Sequence, residues 1–449
     1  MANNKPAAAP KRMAVVGGGW AGCAAAVELS RAGHDVTLFE AARTLGGRAR
    51  RVEFDGGVVD NGQHILLGAY GATLRLLQLV GVEARQALLN LPLQMRYPPG
   101  CGGMDFVAPR WPAPLHLAAA LLRADGLARA DKMALARFSS TARWMGWQLH
   151  SDCSVSELLE RFDQSARLIQ LMWRPLCLAA LNTPPERASA KIFLNVLRDS
   201  LGARRRASDM LLPKVDLSAL FPDAAAAFVR RHGGAVHCGA SVTGLRRQAD
   251  GGWQLDARGE ASGGAFDGVI LATPAAQTAA LLEQLQNPAM SAIASQLAAF
   301  EFEAISTCYL QYPPGTRLER AFFALIDAPQ AGHWGQFVFD RGQLDPAQSG
   351  MLAVVISASA EAAAQGQAAL AKAVARQLAD VFRRPELAEP AWSRVITDKR
   401  ATYACSPGLA RPDNATGLPG LALAGDYTHS DYPATIESAV RSGVLAAAL

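Results

Sequence analysis

The segment Met13-Ala-Val-Val-Gly17-Gly18-Gly19-Trp20-Ala21-Gly22 constrains this chain more than any other. A short apolar run enters GxGxxG directly, with Gly17, Gly19 and Gly22 at the three glycine positions. Ala- and Leu-rich sequence up to Ala32 predicts a helix, and Gly33 suits its C′ position. Asp35-Val-Thr-Leu-Phe39 predicts a second strand, closed by Glu40. Strand, glycine turn, helix and strand in this order form a unit that binds a dinucleotide. Gly17 permits the tight turn, Gly19 lets a pyrophosphate approach the backbone, and Gly22 lets helix and strand pack closely. Trp20 and Ala21 begin the helix, whose free N–H groups and positive dipole end suit phosphates. Glu40 suits adenosine ribose hydroxyls and disfavours a 2′-phosphate. A glycine-rich turn without a ligand is the plainer reading of GxGxxG alone; the strands, helix and terminal acid in register outweigh it.

After Glu40 come Ala41-Ala-Arg43-Thr-Leu-Gly46-Gly47-Arg48-Ala-Arg50. Here the chain resembles the flavin amine oxidase and phytoene desaturase superfamily, which carries a GGR-type motif after its ribose-binding acid. The resemblance implies FAD, bound non-covalently, with Ala41, Arg43, Gly46, Gly47 and Arg48 beside it. Arg51 reads as part of a solvated basic loop. Near the other end, Leu421-Ala-Leu-Ala-Gly425-Asp426 predicts a buried strand ending in Gly-Asp. Pro433-Ala434-Thr435-Ile436 then opens a helix, with Pro433 expected in its first turn. By resemblance, Gly425 and Asp426 serve the ribityl chain. The helix start at 433–436 would face the flavin N1/C2 edge, where reduced flavin is negative. The family has Trp after Gly-Asp, and this chain has Tyr427. Residues 233–245 predict one strand along the adenine, with Val242 its backbone contact by resemblance, and residues 266–274 predict another buried strand.

The expected fold is α/β: a Rossmann-like, glutathione-reductase-like FAD-binding domain with an inserted α+β substrate domain. Residues 1–70, 206–274 and 396–449 would form the discontinuous cofactor domain, and 71–205 and 275–395 the substrate domain. The first insertion is helical in pattern at 115–122, 132–147 and 155–171, and the second has strand-like runs at 305–311 and 351–358. A length of 449 residues fits two or three domains.

Composition narrows the class. Half the residues are apolar and 18% are charged, which excludes a disordered chain. No apolar run approaches the roughly 18 residues of a spanning helix, and the N-terminus lacks a signal-peptide h-region. The expected compartment is the cytoplasm. Seven cysteines, an odd number without a CxxC pair, argue against a disulfide framework or a metal site. The net charge of +5 reads as spread along the chain, with no dense basic stripe for nucleic acid.

Three longer stretches are more specific. Val59-Asp60-Asn61-Gly62-Gln63-His64, Trp173-Arg174-Pro175-Leu176 and Lys399-Arg400-Ala-Thr402-Tyr403 resemble the hydroxysqualene dehydroxylases, or squalene-associated FAD-dependent desaturases. The resemblance runs along the whole chain. It implies reductive removal of a hydroxyl from hydroxysqualene, giving the hopanoid precursor squalene, with reduced FAD as hydride donor. The expected partners are a polyprenyl substrate and an unidentified electron donor. No second GxGxxG is present, so electrons would come from a separate reductase or transient nicotinamide.

Such chemistry needs a general acid. His64 is the first candidate, because Gln63-His64 lies beside the flavin by resemblance; Tyr432 is second and Asp431 third. The plainer readings are a flavin or backbone hydrogen bond for His64 and packing for Tyr432; Trp173 and Arg174 read as packing that also shapes the substrate tunnel. Two other functions stay open: an oxidase or desaturase of an amine or polyene, and a non-catalytic flavin-bound scaffold of a lipid-synthesis complex. Covalent flavin attachment through Cys405 is not favoured by its surroundings. There is no DDxxD, HExxH or GxSxG. A lipid substrate also implies a membrane surface. Residues 111–123, flanked by Arg110 and Arg123, could lie peripherally on the inner face of the cell membrane, or form an ordinary buried helix of the substrate domain.

Overall fold

The computed structural model describes residues 9–54, 57–259 and 263–449. Along the chain, β1 (Arg12–Val16), α1 (Trp20–Arg31) and β2 (Asp35–Glu40) form the expected first unit. Helices α2 (Gly71–Leu79), α3 (Leu115–Arg123) and α4 (Arg129–Trp144) follow. Strands β3 (Ala235–Cys238) and β4 (Gly268–Leu271) come next. Then come β5 (Phe302–Gln311), β6 (Phe322–Ala324), β7 (Phe337–Asp340), β8 (Met351–Ser357) and β9 (Trp392–Tyr403). Strand β10 (Leu421–Leu423) and helix α5 (Ile436–Ala446) close the fold.

Two sheets organise these elements. The first is parallel, in the order β3-β2-β1-β4-β10. Its central strands are near-continuous apolar runs, because helices and loops cover both faces. Helix α1 packs closely on α5 because both are small at the crossing. A Cβ on Gly443 would lie 2.1 Å from the Ala21 carbonyl oxygen. The second sheet is antiparallel, in the order β6-β7-β8-β5-β9. Along β5 the side chains alternate. Ser306 and Cys308 face away, with Ser306 bonded to Ser359 and Thr397. Thr307 and Tyr309 share the opposite face, where Tyr309 reaches the 60–63 segment.

Three sequence expectations shift here. The boundary at residue 70 is too early: the Glu437 carboxylate of α5 accepts from the Ala72 and Thr73 backbone N–H groups and the Thr73 hydroxyl, so α2 rides on the cofactor half. The boundary at 396 falls inside β9, which pairs with β5 up to Tyr403 and belongs to the second sheet. Residues 233–245 are two strands, not one. Gly239, at φ +70°, turns the chain out of β3, and residues 241–247 pair instead with 253–258, Val242 opposite Ala257. The 111–123 segment is half buried: α3 buries His116, Ala119 and Ala120 but exposes Leu115 and Leu122, and Trp111 before it is also exposed. Among the described residues, no helix is long and apolar enough to cross a membrane.

Candidate active site

The glycine turn is built from close backbone contacts. Gly17 sits at φ +107°, and a Cβ there would lie 2.5 Å from the Ala272 carbonyl oxygen. A Cβ on Gly22 would lie 1.8 Å from the Gly17 oxygen. At Gly19 the corresponding space is open, bounded only by Gly47 Cα at 3.9 Å. Gly19 also pairs with Gly46, and Gly46 N–H donates to the Gly18 oxygen at 2.8 Å. The 46–48 loop therefore lies directly against the turn. Glu40 ends β2 with its carboxylate accepting from Gly18 N–H (2.6 Å) and Ala42 N–H (2.7 Å). Beside it are the exposed Ala41 and Arg43, and the Arg43 side chain bonds no described residue. The N-terminus of α1 has no side-chain cap and no acid in its first turn. Such an end keeps its N–H groups for an anion.

Trp20 does a different job from the one its position suggests. Its indole N–H donates to the Ala49 oxygen (2.9 Å) and its ring packs on Phe221, so its side chain braces the 46–50 loop. Only the backbone of Trp20 and Ala21 remains available at the helix start.

Arg48 joins the two ends of the chain. It donates to Asp426 Oδ1 at 2.6 Å and to the Ala401 oxygen at 2.5 Å. Asp426 is buried, and its Oδ2 accepts from no described residue. Gly425 N–H donates to Ser442 Oγ at 2.9 Å, and a Cβ on Gly425 would strike the Tyr427 ring at 2.4 Å. The Tyr427 hydroxyl reaches Thr278 Oγ1 at 3.0 Å, so its polar atom is satisfied. Thr435 is the N-cap of α5, accepting from Ser438 N–H at 3.1 Å. Pro433 and Ala434 therefore precede the helix, and the expected first-turn place of Pro433 is corrected; its carbonyl instead accepts from Ser438 Oγ. Ile436 begins the helix and is nearly buried.

An open glycine cradle, an uncapped helix start, a carboxylate at the end of β2 and a spare oxygen on Asp426 suit the pyrophosphate, ribose and ribityl groups of FAD. Cys405 does not suit covalent attachment. Burial pushes its thiol up to about 12, so it stays protonated.

The second sheet supplies the facing wall. Gln63 Nε2 donates to the Tyr309 hydroxyl (2.9 Å), and Gln63 Oε1 accepts from the buried Arg341 (3.0 Å). Tyr309 in turn donates to the Asp60 carbonyl at 2.7 Å. His64 Nδ1 lies 3.1 Å from the Gly62 oxygen, so Nδ1 carries the proton in the neutral ring. Nε2 has no partner among the described residues. Burial lowers the His64 pKa, and Arg48 lowers it further against the Gly62 carbonyl. Thr307 Oγ1 is buried without any hydrogen-bond partner among the described residues. It lies 3.7 Å from where a Gly62 Cβ would stand, and so does His64 Cε1. The missing Gly62 side chain thus leaves room between an unsatisfied hydroxyl and the imidazole.

The other two acid candidates are engaged elsewhere. Tyr432 donates its hydroxyl to Asp199, which is also paired with Arg198, and Arg441 lies over its ring at 4.8 Å. Burial and Asp199 raise the Tyr432 pKa. Asp431 is exposed, and its backbone oxygen accepts from Asn195 at 3.1 Å. Trp173 and Arg174 pack: the indole donates to Gln164 and the guanidinium pairs with Asp327. Thr307, Tyr309 and Arg341 were not singled out from sequence. The alternation within 305–311 would have placed Thr307 and Tyr309 on one face, but nothing in sequence points that face at Gln63-His64.

Comparison with known proteins places the chain in a family. The family model for flavin containing amine oxidoreductases matches residues 20–449. The chain is 29% identical to a hydroxysqualene dehydroxylase of Rhodopseudomonas palustris over 98% of both chains. It is 28% identical to one of Sinorhizobium fredii over the same shares. Its fold matches the crystal structure of an oxidoreductase from Methanosarcina mazei with a TM-score of 0.72 at 17% identity, over 97% of this chain and 99% of that one. The chain belongs to the flavin-containing amine oxidoreductase family and is an FAD-dependent oxidoreductase.

Proposed function

We propose that this enzyme removes the hydroxyl of hydroxysqualene to give squalene, a step of squalene and hopanoid synthesis. Two relatives similar along nearly the full chain carry that activity in their names. The observation that carries the reading is the buried hydroxyl of Thr307, unpartnered among the described residues, near His64. A buried polar atom without a partner is costly, and a substrate hydroxyl is the group that would satisfy it.

FAD in its reduced form, when bound, supplies the hydride that makes the reaction a net reduction. The protein handles the proton and the water. Thr307 Oγ1 binds the substrate hydroxyl and fixes its position. Protonated His64 donates from Nε2 to the same oxygen, while Nδ1 stays held by the Gly62 carbonyl. The C–O bond breaks, water leaves, and the carbon that held oxygen becomes an allylic cation. A hydride added at that carbon would close the balance: one alcohol, one proton and one hydride would give one hydrocarbon, with its double bonds unchanged in number, and one water. A lowered His64 pKa makes the imidazolium a stronger donor but a scarcer one, so turnover rises as pH falls through that pKa.

The test is anaerobic. Dithionite-reduced holoenzyme mixed with hydroxysqualene should reoxidise its flavin while squalene forms in equal amount. Flavin that stays reduced would overturn the reading. Oxidised enzyme turning over amines or polyenes would then establish an oxidase or desaturase, and no turnover of either kind would establish a scaffold.

A further inference from the structure

We propose that α3 and α4 form a docking surface for an anionic lipid bilayer. The inference does not rest on the reaction assigned above, and its test does not read activity.

Helix α3 is amphipathic in the wrong sense for water. Its buried positions are His116, Ala119 and Ala120, and Leu117 and Leu121 are half-buried, while the other two of its four leucines, 115 and 122, are exposed. Seven residues turn an α-helix to within about 20° of the starting direction, so Leu115 and Leu122 share one face. Helix α4 repeats the pattern. Met133 and Trp144 are exposed and eleven residues apart, again within about 20° of one direction and about 16 Å along the axis. The two helices are joined where Lys132 Nζ donates to the Leu122 carbonyl at 2.9 Å. Residues 111–144 hold five of the eight large exposed apolar side chains among the described residues, with Leu122 77% and Trp144 86% exposed. Scattered surface apolar residues need no explanation, but a cluster of this kind marks an interaction face.

Charge identifies the occupant. Residues 110–144 carry six basic side chains, Arg110, Arg123, Arg129, Lys132, Arg137 and Arg143, against Asp125 and Asp131. That is four of the five net positive charges of the whole chain, so the excess is not spread out as the sequence suggested. None of the six forms an ion pair with a described residue, whereas Arg48, Arg75, Arg96 and Arg174 all do. Arg123 lies over the Trp111 ring at 5.2 Å, an arrangement of amphipathic side chains suited to a headgroup layer. A second copy of this chain fits poorly, because a two-fold interface would set the same uncompensated basic face against itself. A bilayer with anionic headgroups satisfies both observations: acyl chains take the leucines, Met133 and the tryptophans, and headgroups take the cations.

The experiment is vesicle flotation of the FAD-loaded protein. It uses phosphatidylcholine vesicles with and without phosphatidylglycerol, beside light scattering of the protein alone. Wild type should float with the anionic vesicles and bind neutral ones at least tenfold more weakly. Leu115→Glu with Leu122→Glu, and separately Met133→Glu with Trp144→Glu, should each cut anionic-vesicle binding at least tenfold with flavin content and melting temperature unchanged. Arg230→Glu with Arg231→Glu, exposed on a different helix, controls for net charge and should have a smaller effect. Failure of wild type to float would overturn the proposal. So would binding that the charge control weakens as much as the apolar substitutions do. A dimer in light scattering that Leu122→Glu disperses, with no vesicle binding, would assign the face to a second copy instead.

Discussion

The two walls of the site are built on opposite principles. The cofactor cradle has a frame fixed by its own contacts: Glu40 is bonded twice to backbone, Arg48 closes onto Asp426, and Gly17 and Gly22 touch backbone at distances that leave no room for a side chain, while the α1 N–H groups and Asp426 Oδ2 stay for the ligand. The wall on β5 leaves atoms unsatisfied among the described residues, with Thr307 Oγ1 buried and unpartnered and His64 Nε2 without a partner near it. A cradle holds a resident ligand, so its frame can be rigid. A reacting wall must keep donors and acceptors in reserve for the substrate, and it carries the cost of those unpaired atoms in the free enzyme.

Substitutions should therefore separate the walls. Gly22→Ala drives a Cβ into the Gly17 carbonyl. It should cost about 3 kcal/mol or more and cut FAD content roughly a hundredfold, read as flavin absorbance per mole of protein. His64→Gln should leave FAD content intact and slow turnover roughly a hundredfold, because the proton donor is gone. Thr307→Val keeps the shape and removes only the unsatisfied hydroxyl. Turnover should fall about tenfold while thermal unfolding shows a gain of about 1 kcal/mol. A loss of both would mean that Thr307 is merely structural. Arg48→Met breaks a pair whose arginine is 40% exposed, so after allowance for solvent about 1 kcal/mol is lost. FAD dissociation, followed by fluorescence, should quicken several-fold.

A last effect, read through pH, concerns Asp60, behind the wall. Burial pushes its carboxyl up to about 7, against 3.8 for an ordinary aspartate, with Arg341 pulling the other way. The folded protein therefore keeps a proton that the unfolded chain releases, and stability falls as pH rises from about 4 to about 7, then levels. Asp60→Asn should melt a few degrees higher than wild type at pH 8, with the gap closing towards pH 4. A gap independent of pH would remove Asp60 from this role.

The same contrast explains what could be read from sequence. The cradle is local. Gly17 to Gly22, Glu40 and Gly46 to Arg48 act through backbone geometry within a few dozen residues, and a spacing pattern records that geometry directly. Arg48 meeting Asp426 across 378 positions was reachable only because each sits in its own motif. The wall is non-local. Thr307 matters because β5 brings it against Gly62, and sheet pairing between distant segments leaves no mark in either. Strand pairing also decided the boundary at 396, and a single positive-φ glycine at 239 split one expected strand into two. Tyr432 looked like an acid by position, but Asp199, far off in sequence, holds its hydroxyl.

The most direct test of the account is single-turnover flavin reoxidation by hydroxysqualene, measured anaerobically in wild type, Thr307→Val and His64→Gln at equal FAD content. Three yellow, folded proteins are expected, with rates that fall about tenfold for Thr307→Val and roughly a hundredfold for His64→Gln. Rates equal to wild type in both variants would contradict it, because the wall on β5 would then take no part in the chemistry.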